Sequence, residues 1–81
     1  MHVKVKLFGP QAQSVGDRQV SVDLSTDITC GAARRALVTR FPHLSDLFTN
    51  GRFAVNCEFA PDDATLHADD EVAFIGPVSG G

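Results

Sequence analysis

The chain has little positive charge, and that charge is not clustered. Among its 81 residues, 7 are Lys or Arg and 10 are Asp or Glu, which gives a formal net charge of −3 at pH 7. A protein that binds nucleic acid needs Lys and Arg gathered on one surface, where they neutralise phosphates. The scattered basic residues therefore argue against a nucleic-acid partner.

Apolar runs and cysteines are also scarce, which bears on where the protein works. No segment approaches the roughly 20 apolar residues that span a bilayer, and residues 1–4 do not open the long apolar stretch of a signal peptide. The two cysteines, Cys30 and Cys57, show no CxxC spacing. We interpret them as reduced thiols, with Cys30 a small buried side chain. We expect a cytoplasmic protein without a membrane partner.

The common motifs of catalysis and metal binding are missing. The three His residues lack metal-ligand spacing, and the sequence contains no nucleophile motif and no glycine-rich phosphate loop. The acidic runs at 62–63 and 69–71 fail the pattern of a calcium-binding loop and are expected to be solvated turns. We expect no bound cofactor or metal ion.

What the chain does contain is a regular pattern of apolar residues. Alternation predicts strands at residues 2–8 and 20–24, joined by a loop at 11–18. In the second half it predicts a strand at 53–57, a short strand at 58–60 and a last strand at 71–75. Strands arranged around one helix indicate an α+β fold, with a single core between the helix and one face of the sheet.

One amphipathic helix is predicted between the second and third strands. Ala33, Leu37 and Phe41 are spaced four apart, and Pro42 ends the helix because proline has no N–H donor. A short turn at 44–48 is expected to return onto the core. The predicted core comprises Val3, Val5, Leu7, Val20, Val22, Leu24, Ile28, Ala33, Leu37, Phe41, Leu44, Val55, Leu66, Val72 and Phe74.

Alternation also predicts apolar residues on the outer face of the sheet. When Val5 and Leu7 point into the core, Phe8 points away from it, and in the last strand Ile75 does the same. Phe59 on the short strand is placed with them. Such a cluster is a docking surface, unless one or two of its members cap the edge of the core.

The sequence ends in Gly80-Gly81, after the last predicted strand. Two interpretations are open. The end is frayed and without a role, or its carboxylate is a reagent, because residues that lack a Cβ atom can thread a narrow channel. We divide the chain into a folded domain, residues 1–75, and a flexible tail, residues 76–81.

These residues carry a family resemblance. Residues 66–81, with the run Asp-Glu-Val-Ala-Phe followed by Pro-Val-Ser-Gly-Gly, resemble the end of the small subunits of molybdopterin synthase, which are ubiquitin-like sulfur carriers. Residues 53–56 resemble the strand before it, and the likeness extends over the whole chain. It implies a β-grasp fold, with a mixed sheet of four to five strands on one main helix. The first and last strands would run parallel at the centre of that sheet.

The resemblance also implies a function in molybdenum cofactor biosynthesis. In this family an adenylating enzyme of the ubiquitin-activating type uses ATP to activate the terminal carboxylate, here that of Gly81, and a sulfurtransferase completes a thiocarboxylate. The tail, here Pro77, Val78, Ser79 and Gly80, inserts into the catalytic large subunit of a heterotetrameric synthase. There the sulfur helps to build the dithiolene of the pterin, while the small subunit itself is non-catalytic.

Partner contacts and departures from the family pattern complete the resemblance. Phe8, Phe59 and Ile75 match the apolar patch that contacts the large subunit. Gly76-Pro77 stands where Pro-Pro is frequent, which should loosen the root of the tail, and Asp69-Asp70 replaces a common Gly-Asp turn.

Two alternatives to this function stay open. Sulfur carriers for thiamine thiazole, tRNA thiolation and cysteine synthesis share the fold and the Gly-Gly end. A ubiquitin-like interaction module with an inert tail is the other alternative.

Overall fold

The structure is a computed structural model, and it describes residues 1–76. This part of the chain forms five strands and three α-helices. A 3₁₀ turn at Pro42–Leu44 leads directly into the third helix. In chain order the elements are β1 (His2–Leu7), α1 (Gly9–Val15), β2 (Gln19–Asp23), α2 (Cys30–Arg40), α3 (Ser45–Asn50), β3 (Arg52–Val55), β4 (Glu58–Ala60) and β5 (Val72–Ile75).

The five strands form one mixed sheet in the order β2-β1-β5-β3-β4. The central pair, β1 and β5, is parallel, with Leu7 opposite Phe74, and each of the other three pairs is antiparallel. The predicted β-grasp fold is confirmed, including the parallel first and last strands at the centre of the sheet.

The core lies between the helices and the inner face of this sheet. In β1 every second residue is buried, as its alternating sequence predicts. Three aromatic rings fill the centre: the centroid of the Phe74 ring lies 5.1 Å from that of Phe48 and 5.3 Å from that of Phe53. These rings tie β3, β5 and α3 together.

The predicted core needs correction at its margins. Phe48 and Phe53 are completely buried but were not among the predicted core residues. Four predicted members are only partly buried against the core, because they lie where elements end or where the sheet is covered on one side. These four are Ile28, Phe41, Leu44 and Val55.

The segment expected to be a loop at residues 11–18 is largely a helix, so that prediction was wrong. Pro10 lies in the first turn of α1, where its missing N–H costs no hydrogen bond. Gly16 ends the helix with a left-handed backbone, φ 86°, and its N–H donates to the carbonyl of Ala12. Proline at the start and glycine at the end are helix signals, but seven residues carry too little periodicity to reveal the helix between them.

The predicted main helix, by contrast, is confirmed as α2. The hydroxyl of Thr29 accepts a hydrogen bond from the N–H of Ala32 at 3.1 Å and so caps its first turn. The helix ends at Arg40, before Pro42.

Arg34 of α2 fixes the end of α3. Its Nη1 atom donates to the carbonyls of Phe48, Thr49 and Gly51 at 2.6, 3.0 and 2.9 Å. These carbonyls belong to the last turn of α3 and the residue after it, which have no partners within the helix. A single guanidinium therefore replaces the hydrogen bonds that a longer helix would have made.

Gly51 tests how tightly this packing is fitted. A Cβ atom at this position would lie 2.1 Å from Cζ of Phe74 and 2.7 Å from the carbonyl oxygen of Ile75. We expect Gly51→Ala to lower the free energy of unfolding by about 3 kcal/mol, because a ring and a backbone strand would have to shift. Urea denaturation followed by circular dichroism measures the loss.

Gly9→Ala is the matched control. Gly9 has φ +54°, and a Cβ atom added there would have no atom of a residue beyond its chain neighbours within 4 Å, so its substitution brings backbone strain of about 1 kcal/mol without a collision. Equal losses in the two variants would contradict the packing argument.

Candidate functional site

Gly76 is the root of the predicted tail, and it directly follows the central strand β5. β5 is hydrogen-bonded to β1 on one side and to β3 on the other, so the strand that leads to Gly76 is held along both edges. The residues predicted to carry the chemistry fall beyond it, outside the described residues, and their roles stay predictions. These are Pro77, Val78, Ser79, Gly80 and Gly81.

Phe8 and Ile75 are neighbours beside this root. Leu7 pairs with Phe74 in the parallel register, and continuing that register by one residue places Phe8 beside Ile75. The Phe8 side chain is 52% exposed, while Ile75 is half-buried. An aromatic and an aliphatic side chain are thus placed on the same face at the end of β5.

Phe59 lies across the sheet from this pair, separated by small residues. It pairs with Ala54, which pairs in turn with Ala73, so the three side chains form a row on the outer face. Phe59 is 64% exposed. Methyl groups between larger apolar side chains make the centre of the surface shallow. We call this set the outer surface; it comprises Phe8, Ala54, Phe59, Ala73 and Ile75.

Charged side chains border the outer surface. Arg52 pairs with Ile75, and its guanidinium lies 5.3 Å from the centre of the Phe59 ring. Lys6, which pairs with Ala73, donates a hydrogen bond to the Glu71 carboxylate. That hydrogen bond, with the positive charge of Lys6, lowers the pKa of Glu71. An apolar centre with a charged border is the usual anatomy of a protein interface.

The structure therefore places the three residues predicted for a partner interface on one face of the sheet, although their role in binding stays a prediction. It adds Ala54, Ala73 and Arg52, which the sequence reasoning missed. The alternation of the strands gave their face but not their neighbours. Only the strand order shows that these residues lie beside Phe59 and Ile75.

Comparison with known proteins identifies the group to which this arrangement belongs. A family model described as the ThiS family matches residues 5–81, which is nearly the whole chain and includes its Gly-Gly end. The chain belongs to the ThiS family. The resemblance drawn from its C-terminal motif is confirmed.

Individual members of the ThiS family with similar sequences carry two kinds of name. A molybdopterin synthase sulfur carrier subunit from Caenorhabditis briggsae is 36% identical over 81 residues, which cover 98% of this chain and 96% of that protein. Small archaeal modifier protein 1 from Haloferax volcanii is 37% identical over 84 residues, covering 94% of this chain and 97% of that protein.

The fold of this ThiS family chain has a solved counterpart. The crystal structure of SAMP1 from Haloferax volcanii superposes with a TM-score of 0.79 at 35% sequence identity, and the match covers 100% of both chains. The β-grasp architecture is therefore shared with a solved relative of similar sequence.

Other kinds of site find little support in residues 1–76. No group of three or more His, Cys, Asp or Glu side chains in that part is placed to hold a metal ion. No helix there is long and apolar enough to cross a membrane.

The two thiols of this ThiS family member differ sharply. Cys30 is completely buried at the start of α2. Burial raises the pKa of its thiol, and the Asp62 carboxylate adds to that shift. Cys57 is exposed in the turn between β3 and β4. The prediction of a small buried side chain at Cys30 is confirmed.

Alkylation should separate these thiols. We expect iodoacetamide to modify Cys57 readily in the folded chain and Cys30 at least about a hundredfold more slowly, because Cys30 is reached only when the core opens. Peptide mass spectrometry after timed quenching gives both rates. In urea the two thiols should react at similar rates, and similar rates in the folded chain would contradict the assignment.

Proposed function

We propose that this chain is the sulfur carrier subunit of a molybdopterin synthase. In this role the carboxylate of Gly81 becomes a thiocarboxylate, and its sulfur is passed to a pterin precursor to form the dithiolene of molybdopterin. One observation carries the proposal: the match to the ThiS family runs through Gly80-Gly81, the pair that follows the doubly paired central strand.

The chemistry explains why a terminal glycine suits this role. A carboxylate is a poor electrophile, so an ATP-dependent adenylating enzyme must first form an acyl adenylate at Gly81. A sulfur nucleophile supplied by a sulfurtransferase then attacks the carbonyl carbon, and AMP leaves with the electrons of the broken C–O bond. Glycine offers no side chain to block the channel through which the end must pass.

The outer surface would bind the large subunit, which supplies the catalytic residues. A few large side chains, aromatic ones among them, commonly carry most of the binding energy of an interface. Phe59 stands out because its ring is mostly exposed and carries the Arg52 guanidinium on one face. Phe8 and Ile75 lie next to the tail root, so docking there would aim the tail at the partner.

A second candidate function is favoured by one relative. Small archaeal modifier protein 1, at 37% identity, is named as a modifier. In such a role the same acyl adenylate would be attacked by an amine of another protein, and an amide bond would form in place of the thiocarboxylate. Covalent conjugates between this chain and other proteins would support the second candidate. Sulfur carriers of other pathways remain distinguishable by which partner accepts the sulfur.

Deletion of Gly81 tests the sulfur carrier directly. The intact chain, incubated with its adenylating enzyme, ATP and a sulfur source, should gain the mass that results when sulfur replaces one oxygen atom. The variant without Gly81 should gain none, while its unfolding curve stays unchanged because β5 and the core end before the tail. Intact-mass spectrometry gives the answer.

Cys57→Ser is the matched control for this test. Sulfur added to a thiol as a persulfide raises the mass by one whole sulfur atom rather than by an exchange for oxygen. The exchange should persist in Cys57→Ser. Loading that survives the deletion of Gly81, or that disappears in Cys57→Ser, would refute the carboxylate as the sulfur site.

Phe59→Asp tests the outer surface. We expect this variant to weaken binding to the large subunit about thirtyfold, the scale of losing one strong aromatic contact, as measured by isothermal titration calorimetry. Because Phe59 is mostly exposed, the free energy of unfolding should change by less than about 1 kcal/mol.

Ala68→Asp is the control for charge. It adds the same negative charge at an exposed position, in the loop that borders Met1 and His2 at the other end of β1. It should leave the affinity unchanged. Equal affinity of Phe59→Asp and the unaltered chain would exclude the outer surface as the binding site.

A further inference from the structure

The parallel pairing of β1 and β5 brings the first turn of α1 to the root of the tail. Because the two strands run in the same direction with Leu7 opposite Phe74, both end at the same edge of the sheet. The chain that leaves β1 turns into α1 at Gly9, beside the point where β5 passes into Gly76.

Gln11 of α1 reaches across to Gly76. It is 8% exposed and is the only polar residue that is buried among the described residues. A Cβ atom built on Gly76 would lie 1.5 Å from Nε2, 2.2 Å from Cδ and 2.9 Å from Cγ of Gln11. The carboxamide therefore occupies the space that any side chain at position 76 would fill.

Gly76 is suited to this contact by its missing side chain rather than by its conformational freedom. Gly9 and Gly16 are the described glycines with a positive φ, at 54° and 86°, whereas Gly76 has a φ that other residues also adopt. What position 76 requires is room for the end of Gln11. The two residues are thus a matched pair, one lacking the atoms that the other supplies.

We propose that Gln11 is a positioning residue for the C-terminal tail. Its carboxamide, packed against Gly76, holds the backbone of that residue and so the direction in which the chain leaves it. The inference rests on the proposed function, since a fixed direction matters when the tail must enter a partner's active site.

The contact between Gln11 and Gly76 can be tested without any partner protein. In the unaltered chain, the heteronuclear ¹⁵N NOE value of the Gly76 amide should be close to the values of the β5 amides. In Gln11→Ala the value at Gly76 should fall while those of Val72–Ile75 stay constant, which separates a loosened root from a loosened fold. An unchanged value at Gly76 would overturn the proposal.

Gln13→Ala is the matched control. Gln13 lies on the same helix and is exposed, so its removal takes the same atoms from α1 without touching the root. The NOE at Gly76 should equal that of the unaltered chain. A fall of equal size in both variants would assign the effect to α1 as a whole and overturn the role of Gln11.

The kinetics of adenylation test the positioning role. With the adenylating enzyme and ATP, Gln11→Ala should raise the KM for the carrier about tenfold, the factor that corresponds to ordering the backbone of one residue. The kcat should stay within about twofold, because the reacting carboxylate is unaltered. An unchanged KM, or a loss confined to kcat, would refute positioning.

Gly76→Ala supplies the complementary variant. Its methyl group would displace the end of Gln11, so KM should rise to a similar extent. Because both substitutions break one contact, the double variant Gln11→Ala with Gly76→Ala should show no larger a KM than the worse single variant. Effects that multiply would show two independent contacts and overturn the proposal.

The two readouts keep this inference apart from the proposed function. If the unaltered chain is never adenylated, the proposed function fails, and the NOE comparison still decides whether Gln11 holds Gly76. If adenylation proceeds but the KM values of the unaltered chain and of Gln11→Ala agree, the proposed function stands and the positioning role fails.

Discussion

The parallel pairing of β1 with β5 is the constraint on which the rest of the structure depends. Parallel neighbours cannot be joined by a tight turn, so the chain between them must cross the sheet. Here it supplies β2 on one side, α2 across one face, and β3 with β4 on the other side. The pairing also makes Leu7 level with Phe74, so the start of α1 and the end of β5 share one edge.

Aromatic packing then anchors β5 in the core. Phe74 contacts the rings of Phe48 and Phe53, and Gly51 leaves the room that the Phe74 ring occupies. Arg34 closes the same corner by donating to the last carbonyls of α3, with its guanidinium 5.5 Å from the centre of the Phe53 ring. So firmly packed a strand gives Gly76, the residue that follows it, a defined position.

The opposite face of the same strands carries the outer surface instead of the core. Strand alternation sends Phe74 into the core and Ile75 outward, so one strand anchors the domain and contributes to the outer surface. The small side chains of Ala54 and Ala73 make the centre of that surface shallow, between larger side chains. Two cations border it: Lys6 is hydrogen-bonded to Glu71, and the Arg52 guanidinium lies over the Phe59 ring. In the function that we propose, this surface and the Gly-Gly end serve one transfer reaction.

The sequence by itself determined the strands, the main helix, the outward direction of Phe8 and the burial of Cys30, because alternation and four-residue spacing are local properties of the backbone. It did not determine α1, whose seven residues show little periodicity, or the burial of Phe53, which depends on rings that other elements supply. The contact between Gln11 and Gly76 was the feature that the sequence was least able to predict. A pattern of residues reports which way a side chain points, whereas the partner it meets is decided by strand order, and that order joins residues far apart in the chain.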